Sequence, residues 1–209
     1  MNNLSSDTAL LSSTYFGPVQ WYQKLNRFGT CRIEKYDHFI KQTYRNRCII
    51  ATTNGTQALS IPVEKCDMDH CDMHEIRIGD HGNWRHLHWN ALQSAYGESP
   101  FFEFLADDIR PFFEKRWTFL FDFNLEITHK ICELIDIRPN ITTTTEYQSA
   151  DSVSNFDFRD AIRPKHPLSD PDFSLRPYHQ VYEQKYGFLT NLSILDLVFN
   201  LGNEAVLYL

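Results

Sequence analysis

The 209-residue chain lacks any run approaching the roughly 18 consecutive apolar residues that a membrane-spanning helix needs. Its opening, MNNLSSDTALLSS, also lacks the basic start and long apolar stretch of a secretory leader. Together these absences predict a cytoplasmic protein. Positive charge is in deficit as well: 20 Lys and Arg face 27 Asp and Glu, a net charge of −7. A general nucleic-acid binder would show a basic footprint, so that class is set aside. With only 8 glycines there is no Gly-rich phosphate loop and no Gly-x-Ser-x-Gly elbow. Five cysteines, an odd and scattered number, fit reduced thiols better than a disulfide frame. No internal repeat is visible.

Aromatic residues, by contrast, are plentiful at 14%. Each buries a large area, so a few elements can make a stable core, and the excess can line a stacking pocket. Residues 1–7 are polar and are expected to fray. The spacing then predicts a buried strand over Thr8–Thr14, a Gly17-Pro18 break, and a helix over Val19–Phe28 with Pro18 as its first residue. Cys31–Tyr36 alternates weakly as a second strand. Arg47–Thr53 and Thr56–Val63 are β-rich runs joined by Asn54-Gly55, a pair suited to the positive φ values of a two-residue hairpin turn. Helices are expected over Asn83–Tyr96, from Ser99 as N-cap to about Glu114, over Thr118–Ile135 and over Ser193–Leu201. Ile141–Thr145 and Ala205–Leu209 read as strands, and residues 148–177 as a long polar loop. Early strands, grouped helices and late strands predict a single α/β domain, with a mixed sheet, packed helices and a hairpin near 47–63.

Three polar clusters invite a chemical reading. KQTYRNR places Lys41, Arg45 and Arg47 within seven residues, with Asn46 and Gln42 beside them. Guanidinium forks suit phosphate or carboxylate, whereas a plain solvated loop edge would protect the hairpin from pairing with other chains. Cys66, His70, Cys71 and His74 are metal-ligand types, but their spacing matches no standard zinc pattern and Asp67, Asp69 and Asp72 crowd it, so no metal is expected. His86 and His88 lie about 200° apart on a helix, so at most one can serve a given site as acid or base. Ser193-x-x-Asp196 resembles a reciprocal capping box, and Asn200 lies one turn beyond Asp196 on the same face.

Several stretches together resemble the WbqC-like proteins: TYFGPVQWY, YRNRCII followed by LSIPV, WRHLHWNALQSAYGESPFFEF, LFDFNLEI, PYHQVY and GFLTNLSILDLVFNLG. The likeness runs in order from about Leu10 to Leu207. One departure is Ser13-Thr14-Tyr15, where many members carry Gln-Pro. The family's association with surface-polysaccharide and O-antigen gene sets implies a transferase-type enzyme acting on an anionic or nucleotide-activated sugar substrate. The rival implication is a non-catalytic glycan- or protein-binding factor of the same pathway. On matching positions, the resemblance makes His88 and Asp196 the candidate proton-transfer groups. Arg45, Asn46, Arg47, Tyr15, Tyr178, Gln180, Asn191 and Asn200 become candidate substrate contacts, and Lys41 joins them from the donor run alone. Cofactors and oligomeric state stay open.

Overall fold

In the computed structural model, described over residues 5–66, 71–149 and 156–209, the chain opens with strand β1 (Ser5–Ser12), helix α1 (Val19–Arg27) and strand β2 (Phe28–Glu34). Ser5–Asp7, expected to fray, are part of β1; residues 1–4 lie outside the described residues. Ala9, Leu10 and Leu11 are consecutive and all buried, so both faces of β1 are covered, as a parallel strand requires. β1 and β2 pair in parallel, and strand β5 (Ile141–Thr143) adds to the other edge of β2. Pro18 stands at the N-cap of α1 rather than inside its first turn, and its carbonyl accepts the Trp21 N–H at 2.9 Å.

Strands β3 (Arg47–Thr52) and β4 (Gly55–Ser60) form the expected hairpin, antiparallel and separate from the parallel sheet. The α/β class holds, with the two strand senses divided between two sheets. The turn differs in detail. Thr52 pairs with Gly55, so Thr53 and Asn54 make the bend and only Gly55 takes a positive φ, +102°. The Thr52 hydroxyl closes it, donating to the Gly55 carbonyl at 3.0 Å and accepting the Asn54 N–H at 3.2 Å.

Helices α2 (Trp84–Tyr96), α3 (Phe102–Ile109), α4 (Pro111–Glu114) and α5 (Leu120–Leu134) follow the apolar spacing, with two corrections. Leu87 is exposed, and His88 takes the inward position with Trp84, Leu92 and Ala95. Ser99 does not open a helix; its hydroxyl donates to the Tyr96 carbonyl at 2.6 Å and closes α2. Pro111 then separates α3 from α4 because it has no N–H to continue the ladder. After the short α6 (Glu183–Tyr186) comes α7 (Ile194–Leu201), in which every residue from Ile194 to Asn200 is buried. The final segment, expected as a strand, is a 3-10 helix over Gly202–Tyr208. No helix among the described residues is long and apolar enough to cross a membrane.

The β1–α1 loop and α7 are clamped together. Val19 N–H donates to the Leu192 carbonyl, Ile194 N–H to the Gly17 carbonyl, and the Ser193 hydroxyl to the Phe16 carbonyl. Ser193 also caps α7 by accepting the Leu195 N–H at 3.3 Å. Gly17 is needed there, since a Cβ would lie 2.4 Å from the Thr14 hydroxyl oxygen. Residues 156–177 carry no helix or strand but are anchored: Phe156 and Phe158 bond the backbone of Leu10 along the free edge of β1. Asp170 pairs with buried Lys24 at 2.7 Å. Residues 150–155 of this stretch lie outside the described residues.

The cysteines depart from expectation. Cys66 and Cys71 are joined in a disulfide, while Cys31, Cys48 and Cys132 are buried thiols. The segment after Cys71 is held against residues 35–39 and residues 62–64 against 77–79, so both sides of the 66–71 loop are anchored.

Candidate functional site

A cavity of about 740 Å³ lies where β2 and β5 end. In open parallel sheets the loops leaving the carboxyl ends of strands are free to diverge and leave a crevice. Here the walls come from residues 36–40 after β2, Thr145–Tyr147 after β5, Asp157–Arg163 beside β1, and Arg45 and Asp72.

Glu34, the last residue of β2, is fully enclosed and organises the walls. One carboxylate oxygen accepts the N–H groups of Lys35 and Tyr36 at 3.0 and 2.8 Å and the Thr144 hydroxyl at 2.7 Å. The other accepts Gln148 N–H at 3.0 Å and faces the Arg159 guanidinium at 3.4 Å. Burying a carboxylate is costly unless its lone pairs are met, and these five donors meet them. Arg159 is in turn forked onto Asp157, with contacts of 2.6–3.1 Å, and sits over the Tyr147 ring at 5.5 Å.

Arg45 and Asp37 form a second buried pair, 4% and 7% exposed at their side chains. Asn124 of α5 holds this segment in place, donating to both the Arg45 carbonyl and the Ser13 hydroxyl at 2.8 Å. Opposite, Phe39 N–H donates to the Cys71 carbonyl and Met73 N–H to the Asp37 carbonyl, so the 71–73 segment backs Asp37. The second oxygen of Asp37 has no hydrogen-bond partner. Burial pushes the Asp37 carboxyl above its ordinary range; Arg45 opposes the shift and the nearby Glu34 charge adds to it. A third pair, Arg163–Asp160, lies at the rim. The cleft thus presents three guanidinium groups against five carboxylates, flanked by the phenol rings of Tyr36 and Tyr147.

Of the residues singled out from sequence, Arg45 lines this cleft and the others lie elsewhere. Lys41 is exposed. The Asn46 amide donates to the Ile61 carbonyl at 2.9 Å, and Arg47 Nε to the Ser60 hydroxyl at 3.0 Å, both bracing the base of the hairpin. Tyr15 is wholly buried, with its hydroxyl 2.9 Å from His88 Nδ1 inside a nest of aromatic rings. Burial lowers the His88 pKa to about 4, which leaves the ring neutral at pH 7. Asn191 exchanges two hydrogen bonds of 3.0 Å with Gln20 at the start of α1.

Asp196, Tyr178, Gln180 and Asn200 do come together, as a closed polar knot around α7. One Asp196 oxygen accepts the Tyr178 hydroxyl at 2.7 Å and the Gln180 amide at 2.9 Å, and the Tyr96 hydroxyl also faces the carboxylate. Asn200 donates to the Asp196 carbonyl at 2.7 Å. Asp196 is 0% exposed, and burial raises its pKa against those three donors. The reciprocal half of a capping box is absent because its carboxylate is turned to the knot. Among the described residues no group of three or more His, Cys, Asp or Glu is placed to hold a metal ion; His74 rests on Tyr36, and His70 lies outside the described residues.

Glu34, Asp37 and Arg159 had no signal in the sequence. An acid at the end of a strand and an arginine in a polar loop read as solvated until the fold encloses them.

The model of the WbqC-like protein family matches residues 13–163, which carry every wall of this cleft. The chain is also 28% identical over 195 residues to the uncharacterized protein Rv1507c of Mycobacterium tuberculosis, covering 82% of this chain and 83% of that one. No solved structure matches.

Proposed function

For a chain that belongs to the WbqC-like protein family, we propose a transferase-type enzyme of surface-polysaccharide biosynthesis, cytoplasmic, acting on an anionic or nucleotide-activated sugar. The observation that carries this reading is the convergence of Arg45, Arg159 and Arg163 with the buried Asp37 on one cleft. Carboxylates outnumber arginines there, so a bare polyanion fits poorly. A sugar with one anionic group fits better: carboxylates accept its hydroxyl protons, and guanidinium groups take the phosphate or carboxylate. Tyr36 and Tyr147 supply flat walls for the ring.

Asp37 then takes the proton-transfer role in place of His88 and Asp196, which lie in closed surroundings. Burial raises its pKa toward working pH, and unlike those two residues it borders the cleft beside Arg45, where its carboxylate would take the proton of an attacking hydroxyl once the side chain turns outward. The arginines, already fixed by carboxylates, face the charge that develops on the activated group without reorganising. Tyr147, 56% exposed at the rim, equally favours the rival reading of a glycan-holding protein without turnover.

The test is a thermal-shift series with nucleotide sugars, sugar phosphates, sugar acids and the corresponding free sugars. Charged sugars should raise Tm by mass action, and Arg163→Ala and Tyr147→Ala should abolish the rise while leaving the unliganded Tm in place. If no charged sugar stabilises the protein, or if both variants respond like the wild type, the site assignment fails. Binding without turnover in every donor–acceptor pair, with Asp37→Asn binding normally, would select the non-catalytic reading.

A further inference from the structure

A second cavity, about 420 Å³, has the opposite electrostatic character. It is lined by Arg85 of α2, Arg110 at the α3–α4 junction and Arg116 beyond α4, against only two carboxylates, Asp80 and Glu114. Counting its arginines and carboxylates alone, the lining carries one excess positive charge, in a chain whose net charge is −7. The excess arises because Asp80 is shared. One of its oxygens pairs with Arg85 and the other lies 3.2 Å from Arg116, so a single carboxylate serves two guanidinium groups.

Arg85 is fixed. Its guanidinium stacks on the Trp84 ring at 4.7 Å, only 15% of its side chain is exposed, and its buried Nε has no hydrogen-bond partner. Arg110, 56% exposed, pairs with Glu114 at 2.6 Å, and Arg116, 84% exposed, shares Asp80 with Arg85, so both guanidinium groups are held only by solvent-exposed ion pairs. The remaining wall is aromatic: Trp89 and Phe113 pack at 5.8 Å, and Trp89 is steadied from behind by stacking on Phe102 at 5.9 Å. A rigid aromatic wall beneath unbalanced guanidinium groups suits a ligand with a planar ring and an anionic end. The ring gains contact on Trp89, and the anion completes the charge balance that Asp80 leaves unfinished.

We propose that this cavity is a ligand site separate from the sugar cleft, for an organic phosphate carrying a planar ring, with a nucleoside monophosphate as its simplest form. The probes are UMP and AMP, with uridine, ribose 5-phosphate and inorganic phosphate as partial ligands, read on the full chain by equilibrium dialysis and tryptophan fluorescence. UMP or AMP should bind and change the tryptophan emission, and each partial ligand should bind at least tenfold more weakly. Arg110→Ala/Arg116→Ala, made at exposed positions, should weaken nucleotide binding at least tenfold with Tm unchanged. Arg163→Ala in the sugar cleft should leave it intact. Absence of binding to millimolar nucleotide, or equal affinity in the double variant, overturns the site. Inorganic phosphate binding as tightly as UMP overturns the role of the aromatic wall. Loss of binding in Arg163→Ala alone would place the nucleotide in the sugar cleft and refute a second site.

Discussion

Replacing Arg45 with Met should expose how the cleft balances its buried charge. Arg45 and Asp37 are both more than nine-tenths buried, so their mutual attraction acts in a low-dielectric setting. Removing one member of such a pair leaves an uncompensated charge and costs about 3–5 kcal/mol at neutral pH. With a urea m-value of roughly 2–3 kcal/mol per M for a chain of this size, the midpoint should fall by about 1–2 M. Replacing both, as Arg45→Met/Asp37→Asn, removes the stranded charge and should cost less than the sum of the single changes by about 2 kcal/mol. The cost should also depend on pH. Burial raises the folded pKa of Asp37, so its contribution to stability is full below the unfolded value near 3.8 and is lost as pH rises through the folded value. Without Arg45, which opposes that shift, the folded value moves higher still. The penalty of Arg45→Met should therefore shrink between pH 8 and pH 5, measured as the difference in urea midpoint from wild type at each pH. A penalty equal at both pH values, or single changes additive within about 0.5 kcal/mol, would refute the buried-pair account.

Asp196→Asn keeps the shape and an acceptor for Tyr178 and Gln180, and should stay within about 1 kcal/mol of wild type, whereas Asp196→Ala strands both donors and should cost about 2–4 kcal/mol in urea melts. His88, with its pKa lowered to about 4, contributes stability that is whole above the unfolded value near 6.5 and is lost as pH falls through 4. That loss amounts to about 3 kcal/mol, and Tm curves of His88→Gln should lack this share of the acid sensitivity. Reducing Cys66–Cys71, which closes a short loop with a sequence separation of 5, should cost about 2 kcal/mol and raise amide exchange at Phe39 and Met73 beside Asp37; unchanged exchange there would show that the disulfide does not brace the cleft.

Much of the fold was legible because it depends on local periodicity. Leu120, Phe123, Ile127 and Ile131 recur at helical spacing, and all are buried in α5. The hairpin came from β-rich runs on either side of Asn54-Gly55, although which turn residue takes the positive φ did not. Misreadings came where a residue's partner is distant or lies on the unexpected side. Ser99 looked like the N-cap of α3, but its hydroxyl closes α2 instead. Leu87 fitted an apolar stripe that His88 occupies, since Tyr15, 73 residues away, supplies the hydroxyl that lets an imidazole be buried.

The KQTYRNR run shows the same division at the site. Sequence alone marked a dense set of donors beside a hairpin, and local chemistry could say no more. Packing then gave those donors separate fates: Lys41 to solvent, Asn46 and Arg47 to the hairpin, and Arg45 inward to Asp37. By itself the sequence determined most of the helices and strands up to β5, the α/β class and the family, because these depend on spacing along the chain, but not the C-terminal segment, which is a 3-10 helix rather than a strand. The tertiary structure decided which charges are buried and paired. Glu34, Asp37 and Arg159 meet only when β2 and β5 end side by side, and the cost of isolating a charge from water then forces each to find its partner.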